Sequence, residues 1–180
     1  MASETDPLSR IGHVVLFLVS VYWSGQVLQH MIGSGDPPWI PLDNVTLIFH
    51  EAGHWIFYFF GMFLYVLGGS LMQLLVPILV SITFYRQQSY FATGFGLFWL
   101  GDSLIGLSYY VADARAQQLQ LLSDSALHDW NWLLTSMNLL PYDSLIGAVL
   151  HVLGVLTLIG GIGVMGYSLF KANVQSRLQK

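Results

Sequence analysis

The chain alternates long apolar runs with short polar breaks. Ile11 to Ile32 is solidly apolar around Val14-Val15-Leu16-Phe17-Leu18-Val19, long enough to cross a bilayer as a helix of about 20 residues. Gly33 to Pro41 is rich in Gly and Pro and reads as a loop, and Leu42-Asp43-Asn44 offers capping residues for a second helix. Spans are expected over 11–32, 44–64, 68–85, 90–112 and 142–170, with a tight turn at 66–70 and a polar break at Arg86-Gln87-Gln88. The segment 116–141 is too polar for a span and too apolar for a free loop, so a re-entrant or interfacial helix is expected near 120–140, with Ser123-Asp124-Ser125 as its cap. The pattern predicts an all-α fold: one polytopic transmembrane bundle of five to six spans, residues 1–180 forming a single membrane domain.

Composition sharpens this picture. Of 180 residues, 54% are hydrophobic and only 9% charged, against about 25% charged in an ordinary soluble domain. So few charges cannot cover a water-facing surface, and membrane lipid is the expected surrounding. Glu4, Asp6 and Pro7 are unlike the basic start of a cleavable signal peptide, so the first apolar stretch is expected to be retained. No internal repeat is visible. Arg10 and the tail Lys171, Arg177 and Lys180 pull the two ends toward the same side, which five spans do not permit. The absence of cysteine excludes disulfides, iron–sulfur clusters and thiolate metal sites. A net charge of −4 with no basic run offers nothing to nucleic acid.

The chemistry is concentrated at His50-Glu51-Ala52-Gly53-His54. Residues i and i+4 share a helix face, so both imidazoles can reach one Zn2+, while Glu51 meets a metal-bound water as general base. Ionisable groups inside an apolar helix are costly and generally functional. A third ligand is needed, and three regions offer one. Asp102 matches His54 in depth along its own span. Asp113 lies near the membrane boundary, three helical turns beyond Asp102 on nearly the same face. His128 and Asp129 reach the site if 120–140 folds inward. Asp129 is preferred, with His128, Asp113 and Asp102 as alternatives. Structural roles compete with each: an Asp113–Arg115 surface pair, helix capping by Asp129, and Asp102 bonded to Gln73 or a serine. Tyr58, one turn past His54, is a candidate to polarise a carbonyl, and His13 and His30 read as interfacial or packed histidines. Two rival readings remain: a non-catalytic metal-binding scaffold, and a haem or quinone protein pairing His50 or His54 with His151 or His13.

The His50–His54 motif within a hydrophobic helix resembles the intramembrane zinc metalloproteases of the site-two-protease type. It is similar in particular to small bacterial metallopeptidase-like membrane proteins, through Gly68-Gly69-Ser70-Leu71-Met72-Gln73-Leu74, Ala112-Asp113-Ala114-Arg115 and His128-Asp129-Trp130. That resemblance covers about residues 45–135. It implies a multi-pass protein of the bacterial inner membrane, zinc held by two histidines and a carboxylate, Glu51 as base, and a transmembrane peptide as substrate. The family's N-P-D-G-like motif, which carries its aspartate ligand, is missing here.

Overall fold

The computed structural model describes residues 7–30, 40–120 and 127–178, so part of the 33–41 loop and the Ser123-Asp124-Ser125 cap lie outside the described residues. The described residues form an all-α bundle of six α-helices: α1 (Pro7–His30), α2 (Pro41–Phe57), α3 (Met62–Arg86), α4 (Tyr90–Ala112), α5 (Asp129–Ser136) and α6 (Asp143–Leu178). Four of them, α1, α3, α4 and α6, are long and apolar enough to cross a membrane. Their outward faces are greasy: Val15 and Leu18 on α1, Leu79 on α3, and Leu145, Val152 and Leu156 on α6 are each more than half exposed. Such a surface is stable against hydrocarbon rather than water.

The second expected span is not one helix. α2 begins at Pro41, preset for a first helical turn, and the Asp43 carboxylate accepts from the Ile40 N–H at 2.7 Å. It ends at Phe57, followed by a 3-10 turn over Tyr58–Phe60 and by Gly61 at φ +90°, a backbone conformation that favours glycine. The reversal expected at 66–70 therefore occurs at Gly61. Gly68, Gly69 and Ser70 lie inside α3, which starts at Met62. The two glycines are there to let a neighbouring helix approach.

α4 is the central helix. Of its most apolar window 72% is buried, compared with 33% for α3 and 22% for α6. Its glycines meet those of α6 backbone to backbone: a Cβ on Gly94 would stand 2.7 Å from the Gly161 carbonyl oxygen, and one on Gly154 would stand 3.0 Å from that of Gly101. Phe98, Ile105 and Leu158 fill this seam together with Val27 and Ile40. α1 lies along α6, and His13 stacks on Phe91 with ring centroids 4.2 Å apart.

The short helix α5 folds back onto α3 and α4, with Leu133 and Leu134 completely buried. Its start is a set of polar locks. His128 is the N-cap, its Nδ1 accepting from the Asn131 N–H at 3.2 Å. The Asn131 amide donates to the Ala114 carbonyl at 2.8 Å, and the Trp130 indole donates to Ser70 Oγ at 3.0 Å. Asp113 accepts from the N–H groups of Gln118 and Leu119 and lies 3.4 Å from His128 Nε2. Arg115 reaches Asp143 on α6 at 2.7 Å, so the Asp113–Arg115 surface pair that the sequence offered as an alternative is replaced by two separate ties.

Candidate metal centre

Two glycines set the geometry of the centre. α2 and α3 touch through Gly53 and Gly68, where a Cβ on either residue would overlap the partner's backbone carbonyl. This approach brings the α3 row Tyr65, Gly69 and Gln73, spaced four residues apart and hence on one face, against His50 and His54. The His54 Nδ1 donates to the Tyr65 backbone carbonyl at 2.8 Å. A carbonyl can only accept, so this nitrogen carries the ring proton. His50 Nδ1 stands 2.7 Å from Gln73 Oε1, while the Gln73 amide nitrogen donates to the Ser103 carbonyl at 3.3 Å. With the amide oriented that way, His50 also holds its proton on Nδ1.

Both Nε2 lone pairs then point toward a single carboxylate. Asp129 Oδ2 lies 3.1 Å from His50 Nε2 and 3.3 Å from His54 Nε2. Two neutral imidazole lone pairs facing a carboxylate repel unless a cation, whether protons or a metal, lies among them. A separation of 3.1 Å suits a hydrogen bond from a protonated ring, and the two separations together also suit a metal ion. Donors held tetrahedrally at zinc bond lengths stand ~3.3 Å from one another. The third wall is Gly69, where a Cβ would fall 2.5 Å from His50 Nε2 and 2.7 Å from His54 Nε2. Only a residue without a side chain leaves that space free.

The His50, Glu51 and His54 group could hold a metal ion, its ligand atoms all lying within 4.8 Å of one another. His50 and Asp129 are buried, at 8% and 7% exposure. The Asp129 N–H donates to the Tyr110 hydroxyl at 2.9 Å, and the Tyr110 ring lies over His128 with centroids 4.4 Å apart. Glu51 lines a cavity of about 790 Å³ and has no hydrogen-bond partner among the described residues.

The structure sorts the other sequence candidates. Asp102 lines the same cavity but makes no ion pair with the histidines and no hydrogen bond to Gln73 or a serine among the described residues; its neighbour is the Asp43 carboxyl. Depth along a helix could match Asp102 to His54, but its position around α4 could not be read without the packing. Asp113 and His128 engage one another and the backbone near α5, so they position Asp129 instead of joining it. Tyr58 is 59% exposed and packs with Phe59 and Tyr65, outside the cavity. His151 lies 3.1 Å from Ser108, and His13 is on Phe91, so neither meets His50 or His54. Gln73, Gly69 and the Tyr65 carbonyl were not singled out as site groups from sequence. The signal that could have found them is the 65/69/73 spacing, a row that pairs with 50/54 once both are read as helix faces. Compared with family models, with curated proteins and with solved structures, the chain matches none.

Proposed function

We propose that the protein is a membrane-embedded zinc metallohydrolase, and within that class an intramembrane metalloprotease-like protein. One observation carries the reading: the convergence of two Nδ1-anchored histidines and the Asp129 carboxylate on a point kept open by Gly69. A site of three protein ligands with a fourth position free is the pattern of catalytic rather than structural zinc. Bound there, zinc supplies a Lewis acid that lowers the pKa of a coordinated water toward about 7. His50, His54 and Asp129 would hold the ion. Gln73 and the Tyr65 carbonyl fix the tautomer and the orientation of the two rings. Glu51, adjacent to His50 and free in the cavity, accepts a proton from the attacking water and returns it to the leaving group.

The four long apolar helices support a multi-pass setting in lipid. The assignment to a bacterial inner membrane rests on the family resemblance alone, as does a transmembrane peptide substrate. Such a substrate would have to unwind locally, because a helix keeps its carbonyls engaged.

The test begins with metal. Protein purified in detergent and dialysed against zinc should hold one equivalent by elemental analysis. Glu51→Gln should keep that equivalent and lose ~10²–10⁴-fold of any peptide hydrolysis. A protein that binds no zinc, or a Glu51→Gln variant as active as the parent, overturns the reading.

A further inference from the structure

The cavity has a second chemical end. Asp43 on α2 and Asp102 on α4 both line it as neighbouring carboxyl groups, and Asp102 Oδ2 has no hydrogen-bond partner among the described residues. Asp43 has a structural use, since it caps the start of α2. Asp102 has none: it is 7% exposed within an apolar helix, where an ionisable group is costly unless paired or used. The only basic side chains among the described lining residues are His50 and His54, so no cation of this chain faces the pair. Beside it, Ser103 is 3% exposed and also lines the cavity, and its Oγ has no hydrogen-bond partner among the described residues. A buried hydroxyl without a partner costs stability unless a ligand engages it.

We propose that Asp43, Asp102 and Ser103 form a cation subsite, and that the substrates of the His50/His54/Asp129 centre carry an ammonium group about three extended residues from the bond hydrolysed. This rests on the metallohydrolase reading and deepens it. The distance follows from α2, on which Asp43 lies two turns before His50, about 10 Å along the axis. Three extended residues cover about the same length. The lane between the ends is walled by Thr46, Leu47 and Leu107 and passes Gly106, where a Cβ would have no atom within 4 Å. An apolar stem with a positively charged tip fits such a lane.

The probe is Ala-Leu-Leu hydroxamate, whose hydroxamate chelates zinc and whose free amine is protonated at neutral pH, compared with its N-acetyl form. Binding to the zinc-loaded full chain in detergent is read by calorimetry. The free amine should bind about tenfold to a hundredfold tighter, the scale of a hydrogen bond to a charged group. Asp102→Asn and Asp43→Asn should erase that preference while the acetylated probe binds as it does to the parent, which also shows that the variants are folded. Leucine hydroxamate, too short to reach, should gain nothing from its amine. Equal binding of the free and acetylated tripeptides, or an equal gain for the single residue, overturns the subsite and leaves the zinc reading in place. If neither tripeptide binds the zinc-loaded protein, the zinc reading falls, and the subsite with it.

Discussion

The α2–α3 and α4–α6 contacts are both built on glycine, yet they do different work. Between α4 and α6, Gly94, Gly101, Gly154 and Gly161 bring two backbones together over several turns, and the space around them is filled by Phe98, Ile105 and Leu158. The Ser108–His151 pair, 3.1 Å apart, lies on the same two helices, but among the described residues no group of donors converges on one point there. Between α2 and α3, Gly53 and Gly68 give the same close approach, but the very next residue of α3, Gly69, faces two imidazole nitrogens, and the turns on either side of it offer a carbonyl and a glutamine amide. Small residues serve adhesion in both places, as in helix packing within lipid generally. They make a site only where a glycine also faces donor atoms that converge on one point.

That contrast can be broken experimentally, beginning with the largest effect. Asp129→Ala removes the group on which both Nε2 atoms converge. Zinc affinity should fall by more than about 100-fold, beyond the upper end for loss of a supporting hydrogen bond, with the loss read by competition against a chelator. Retention of parental affinity would place the third ligand elsewhere. Gly69→Ala puts a methyl group 2.5 Å from His50 Nε2. It should abolish stoichiometric zinc binding while helicity, followed by circular dichroism, stays at the parental level. A variant that still loads one zinc would show that this glycine is not the wall of the site. Gln73→Leu keeps the ligands but frees the His50 ring, and zinc affinity should drop by about 10–100-fold. An unchanged affinity would mean that the packing alone orients the ring. Gly161→Ala, on the other contact, should cost about 1–3 kcal/mol through overpacking. It should lower the midpoint of thermal unfolding in detergent without altering zinc stoichiometry. A loss of zinc there would dissolve the distinction between the two contacts.

Some of this was legible along the chain and some was not. The shortage of charge and the length of the apolar runs specify a helical bundle in a greasy surrounding, because an apolar surface has no other stable solvent. The spacing of His50 and His54 specifies that both rings share a face, because the helical period is local. The break between α2 and α3 was misplaced: an apolar run hides a single glycine, and Gly61 turns the chain by adopting φ +90° within it. Gly68 and Gly69 resembled a turn because a glycine pair serves either to reverse a chain or to admit a neighbour.

Sequence by itself determined the helical class and most of the elements, though not the α2–α3 break, together with the pair of histidines with its glutamate and the need for a partner from another part of the chain. Tertiary structure decided which aspartate stands opposite them. Asp102, Asp113 and Asp129 are alike in chemistry, and they are separated only by rotation about a helix and by the locks at the start of α5. His128 caps that helix, Trp130 holds Ser70, Asn131 holds Ala114, and Asp129 is left pointing at both Nε2 atoms. Those contacts join residues tens of positions apart, and no local period encodes them.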